Sequence, residues 1–197
     1  LLSILCDALV ENKQKQFDSQ TLSSCFVGLR GCNDKHVEVT DILSLLRQKL
    51  ERFKGNFTPL QLKNIFSGLR GMTSRSKEVQ HILSMLSEEL KSCRDSIDGQ
   101  VVGEVLYGMQ RMNVEHAGVL PVLHTLSRLV PSPNASKSNS VRSSPSRINN
   151  TLVGDAGFDI YSLGASLYGL ASISQIQIAS TQEQGIGHIM DRMKSSG

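Results

Sequence analysis

The sequence predicts an all-α fold, an α-solenoid of about four helix-turn-helix repeats truncated at both ends, and three observations carry that expectation. The segment Leu22–Cys32 (LSSCFVGLRGC) returns about forty residues later as Leu62–Met72 (LKNIFSGLRGM), and again at Val101–Met112 (VVGEVLYGMQRM). A fourth copy, Leu163–Ile173 (LGASLYGLASI), follows the third after sixty-one residues, so twenty-one have been inserted between them. Within each copy apolar residues fall at i, i+3, i+4, i+7 and i+10, as in Leu22, Cys25, Phe26, Leu29 and Cys32, which is the period of one helix face. Gly28, Gly68, Gly108 and Gly169 hold the same place in all four copies. A fixed period of this size marks repeat architectures: one helix pair cannot bury its own apolar stripe, and stacked pairs cover one another.

The elements follow in order. The chain opens with Leu1–Leu9 (LLSILCDAL), which matches Ile42–Leu50 (ILSLLRQKL) and reads as the end of a second-type helix, here called B. The first-type helix, A, begins in each copy at a cap residue, Asp18, Thr58, Asp98 or Asp159, preceded by Phe17, Phe57, Ile97 or Phe158. An oxygen-bearing cap with an apolar residue before it and another four beyond is the pattern of an N-cap with a hydrophobic staple. Pro59 suits the first helical position and Gln61 completes a capping box with Thr58. The shared glycine sits inside helix A, where it costs about 1 kcal/mol relative to alanine. Its recurrence predicts that another helix backbone passes close at that point.

Helix B follows a short polar loop, with stripes Val39, Ile42, Leu43, Leu46, Leu50; then Val79, Ile82, Leu83, Leu86, Leu90; then Val119, Val122, Leu123, Leu126, Val130. Glu38 and Glu78 fall in its first turn, where the helix dipole favours a carboxylate, and Pro121 lies near enough to the third start to be tolerated. The fourth B stripe is Ile186, Ile189, Met190 and Met193. The expected organisation is therefore helical repeats over 1–130, an insertion over 131–157 and a fourth repeat over 158–197. The insertion is rich in Ser, Asn and Pro, carries Lys137, Arg142 and Arg147 without an acid between Pro131 and Asn150, and is expected to be a disordered basic loop. Ser132 and Ser144 precede prolines and could take phosphate that cancels its charge.

Composition narrows the function classes. With 21 Lys and Arg against 18 Asp and Glu, a net charge of +3 is too small to identify an anionic partner by itself. No run of about eighteen apolar residues is present, so no membrane span is expected. Cys6, Cys25, Cys32 and Cys93 lack metal-ligand spacing, and they read as small hydrophobes of an intracellular, reducing compartment. His36, His81, His116, His124 and His188 have no second ligand at a metal-motif spacing. No nucleophile elbow, Walker loop or dinucleotide fingerprint appears, and the GLRG segments are expected inside helices. The segment Gly154–Asp159 precedes a helix, but Asp155 and Asp159 would repel an anion. The expectation is a non-enzymatic scaffold with no cofactor, no metal and no small-molecule substrate.

A scaffold of this kind binds through the helix face that its core leaves free. On helix A that face passes through three positions: Ser23, Val27 and Arg30; Lys63, Ser67 and Arg70; Gly103, Tyr107 and Gln110; Gly164, Tyr168 and Ala171. These vary while the stripe positions hold. Arg30, Lys63, Arg70, Tyr107, Gln110 and Tyr168 are the candidate contact set, with cations for phosphate, tyrosines to stack on bases and Gln110 to bond a base edge. An unselected solvent face would also vary in this way.

The unit F-x-x-x-x-L-x-x-x-F/L-x-G-L-R-G-M followed by an apolar helix B resembles the octotricopeptide and heptatricopeptide-like repeats that often accompany a RAP domain. The resemblance covers nearly all of the chain outside the insertion. Glycine stands where those repeats usually carry alanine, their tryptophan is absent, and the proline-rich opening of their consensus is largely missing. The resemblance implies binding of single-stranded RNA in a mitochondrion or plastid, in service of RNA maturation, stability or translation. The alternative partner is a protein or peptide, held as armadillo or tetratricopeptide scaffolds hold theirs; the tetratricopeptide period of about thirty-four residues does not fit.

Overall fold

A computed structural model describes residues 16–93, 97–129 and 160–173. Among these residues all regular secondary structure is helical. The helices are α1 (Ser19–Gly28), α2 (Val37–Arg52), α3 (Pro59–Leu69), α4 (Lys77–Ser92), α5 (Gly99–Gly108), α6 (Val119–Leu129) and α7 (160–173). The N-terminal helix B over Leu1–Leu9, the insertion with its basic residues, the Gly154–Asp159 segment and the fourth helix B lie outside the described residues.

The helix starts follow from their caps. The Asp18 carboxylate accepts from the Thr21 amide at 2.7 Å, and Asp98 accepts from Val101 at 2.9 Å. Thr58 and Gln61 form the reciprocal box: the Thr58 amide donates to Gln61 Oε1 at 2.9 Å and the Gln61 amide to Thr58 Oγ1 at 3.3 Å. The helix ends differ from expectation. GLRG does not continue the helix; α1 stops at Gly28, and Leu29 to Gly31 form a turn in which Gly31 takes φ of +87°. That left-handed geometry is where a helix terminates and where a side chain would be strained. The hydrogen bond that closes this turn recurs, though Gly71 lacks the positive φ of Gly31: the amides of Cys32, Met72 and Met112 each donate at 2.9 Å to the carbonyl three residues earlier. It returns an apolar side chain to the core after the helix has ended, and Met72 and Met112 are fully buried.

Each helix packs mainly on the one two places along the chain. Helices α1, α3 and α5 form one layer and α2, α4 and α6 a second, with α1 also touching α2 and α3 touching α4. Leu22, Phe26, Leu62, Ile65, Phe66, Val105, Leu43, Leu46, Ile82 and Leu83 fill the space between the layers. Each such side chain contributes roughly 1.5–3 kcal/mol by leaving water.

The glycines explain how closely the first layer packs. A Cβ on Gly68 would overlap the carbonyl oxygen of Phe26; one on Gly108 would overlap that of Phe66; one on Gly169 would overlap that of Leu106. Each of those carbonyls lies two residues before the glycine of the preceding copy, so one backbone contact is repeated three times. Gly28 differs, since a Cβ there meets no described atom within 4 Å.

The loops stack with the same offset. Asp34 Oδ2 accepts from the Thr73 amide at 3.1 Å and from the Thr73 hydroxyl at 2.7 Å. One copy later Ser74 Oγ accepts from the Asn113 amide at 2.7 Å and meets His116 Nδ1 at 2.8 Å. The side chain of one loop thus satisfies the backbone of the next, which ties neighbouring copies together at their polar edge.

Candidate binding face

The six candidate residues begin with the two arginines of the GLRG turns. Arg30 follows α1, and its guanidinium reaches across to the next copy, where Nε donates to Ser67 Oγ at 2.9 Å and Nη2 donates to the same oxygen. Arg70 occupies the equivalent place after α3 and also reaches forward: its guanidinium carbon lies 4.1 Å from the ring centre of Tyr107. Tyr107 in turn meets Tyr168 of α7 edge-on, with centroids 5.6 Å apart and planes at 63°. The third residue of one copy therefore rests on the second of the next. Tyr168 remains 57% exposed.

This arrangement corrects the expected face. Ser23 is 1% exposed, Ser67 is 5% exposed, and Gly103 is buried with its Cα facing the Ser162 carbonyl, so these positions belong to the interface between A-layer helices. The glycine contacts draw the helices so close that flanking positions sink. Lys63 and Gln110 are half-buried, and among the described residues neither side chain joins the Arg30, Ser67, Arg70, Tyr107, Tyr168 series.

Arg111 was missing from the candidate set. It stands where the first two copies carry Gly31 and Gly71, and it is exposed, with Nη1 donating to the Gly71 carbonyl at 3.3 Å. Its departure from the repeat was the available signal.

The two layers differ in how their charges are balanced. Arg47 in α2 pairs with Glu78 at 2.6 Å and also with Glu51, and Lys91 in α4 pairs with Glu88 at 2.6 Å. The Glu78 contact raises the Arg47 pKa further. Among the described residues Arg30, Arg70 and Arg111 pair with no carboxylate; a hydroxyl, a ring face and a carbonyl hold them instead. Asp34, in the loop that follows the Arg30 turn, spends its Oδ2 on the Thr73 amide and hydroxyl. Lys49 is not part of this edge: it is buried, with Nζ 4.5 Å from the Phe17 ring centre.

Beside Tyr107 and Tyr168 lies an open pocket of about 310 Å³, lined by those two residues with Ile160, Tyr161, Gly164 and Ala165. A second, of about 370 Å³, lies among Lys91, His124, Thr125, Arg128 and Leu129. Burial pushes the Cys25 and Cys93 thiols up in pKa, and Cys93 donates to the Phe57 carbonyl at 2.9 Å. Among the described residues no three His, Cys, Asp or Glu side chains group to hold a metal, and no helix is long and apolar enough to cross a membrane. What the A-layer edge can do chemically is hold anions with braced guanidinium groups beside exposed aromatic rings. No family model, curated protein or solved structure matches the chain.

Proposed function

We propose that the chain is an α-solenoid of four repeats of about forty residues, and that it is a non-enzymatic scaffold binding single-stranded RNA along its A-layer edge. One observation carries the reading: Arg30, Arg70 and Arg111 line that edge with no carboxylate partner among the described residues, next to exposed tyrosine. A guanidinium held by a neutral group keeps its full charge and loses less freedom on meeting a phosphate than an unbraced one. Tyrosine offers the π-face on which an unpaired base stacks. The likeness to octotricopeptide-type repeats supports the same ligand and a place in mitochondrial or plastid RNA maturation, stability or translation.

A protein or peptide partner is the second reading.

Fluorescence anisotropy with a labelled ten-nucleotide single-stranded RNA, set against a duplex of equal length, tests the proposal. Preferential binding of the single strand that weakens as salt rises supports it. A folded, helical sample that binds neither nucleic acid would overturn it in favour of the protein partner.

A further inference from the structure

We infer that the pocket between α5 and α7 is a slot for one unstacked nucleobase, an inference that rests on the RNA reading above. Its walls are the first argument. The chain has three tyrosines and no tryptophan, and Tyr107, Tyr161 and Tyr168 all line this one pocket. Tyr107 and Tyr168 hold the same place in consecutive copies, and Tyr161, which has no such counterpart, joins them from α7.

Spacing is the second argument. Tyr161, Gly164 and Tyr168 stand at i, i+3 and i+7, on one face of α7. A rise of 1.5 Å per residue sets the two tyrosine backbones about 10 Å apart along the axis. A flat ring inserted between two others needs about 7–8 Å, twice the usual carbon contact distance. Gly164 lies between them with no side chain, and a Cβ placed there meets no described atom within 4 Å. This glycine is therefore not explained by close helix packing, unlike Gly103, where a Cβ would come within 2.6 Å of the Ser162 carbonyl oxygen. Its effect is to leave the notch between the rings open.

Charge chooses the occupant. Tyr107 forms one wall, and Arg70 lies over its ring with no carboxylate partner among the described residues. An aromatic ring followed closely by a negative group satisfies both features, and a nucleotide in a single strand is such a ligand. A neutral aromatic side chain would satisfy the rings but bring no negative charge to Arg70.

The test uses intrinsic tyrosine emission, which in this chain reports on the pocket because all three fluorophores line it. The whole chain is titrated with a ten-nucleotide RNA of mixed sequence and with the same ribose-phosphate backbone lacking bases, correcting for absorption by the bases. The RNA is expected to quench the emission, and the abasic strand to bind more weakly and leave it unchanged. Gly164→Leu adds bulk to the notch from a Cβ position that meets no described atom within 4 Å, and is expected to weaken RNA binding by about fivefold or more, as loss of one stacked base does. Tyr161→Leu should act in the same direction, and circular dichroism checks that both variants fold. RNA bound with equal affinity by wild type and both variants, with no quenching, would refute the slot and leave the RNA reading intact. Quenching by a tryptophan-bearing peptide with no response to RNA would overturn both. Absence of RNA binding by the folded wild type would likewise remove both.

Discussion

Replacing Gly68 by alanine should destabilise the protein, and replacing Gly28 by alanine should stabilise it, although both glycines hold the same place in successive repeats. In an ordinary helix the change favours folding by about 0.4–1 kcal/mol, because alanine loses less backbone freedom than glycine. Gly28 should realise that gain, since its new methyl meets no described atom within 4 Å. At Gly68 the methyl would overlap the Phe26 carbonyl, a backbone atom that cannot turn aside as a flexible side chain can. Helix α3 must then shift from α1, and overpacking of this kind costs about 1–3 kcal/mol, enough to cancel the propensity gain and reverse the sign. Because the propensity gain is common to both, the two variants should differ by the overpacking cost, about 1–3 kcal/mol. Urea unfolding followed by circular dichroism at the helix band reads this directly as a shift of midpoint at constant slope. Equal stabilisation by both substitutions would refute close backbone contact as the reason for the recurring glycine.

Substitutions at three other positions test the remaining joints. Thr58→Ala removes half of the capping box and should cost about 1 kcal/mol in the same unfolding assay, whereas Thr58→Ser should cost much less. Asp34→Ala strips the Thr73 amide and hydroxyl of their acceptor in the next loop, and a loss of about 1–2 kcal/mol is expected; no change would mean that the loops do not tie the copies together. Glu89 has its carboxyl pushed up by burial, opposed by a hydrogen bond with the Phe57 backbone. A raised folded-state pKa means a contribution present below the ordinary glutamate value, about pH 4, and lost as pH rises through the folded value. Glu89→Gln should therefore raise the thermal midpoint at pH 7, with the difference shrinking towards pH 4; a difference that grows on acidification would contradict the sign.

Much of the helical framework is legible in the sequence because helix periodicity and caps are local. Asp18, Thr58 and Asp98 announce their helices within four residues, and the apolar stripes mark the buried sides directly. The recurring glycine is legible too, as a costly residue repeated where only a close neighbour would justify it. What escapes is anything set by the distance between helices. A helical wheel gives Ser23 and Ser67 the same angle as a solvent position, and only the tight glycine contacts make that angle an interface. The end of α1 at Gly28 is concealed by the apolar stripe, which runs on unbroken through Cys32. Arg111 escapes for another reason: repeat logic looks for what recurs, and this arginine replaces a glycine. Tyr107 and Tyr168 hold the same position in consecutive copies, so stacking brings them together, whereas Tyr161 has no counterpart in the repeat.

The measurement that bears most directly on RNA binding by the A-layer edge is the salt dependence of affinity for a ten-nucleotide single strand. Wild type should be compared with a triple variant in which Arg30, Arg70 and Arg111 are glutamine. Each phosphate contact to a single strand adds about −0.7 to the slope of log affinity against log salt. If the three arginines each hold one phosphate, the slope should become shallower by about 2 in the triple variant, with weaker binding at low salt and unchanged helicity. Equal affinity and equal slope in the two proteins would contradict the account.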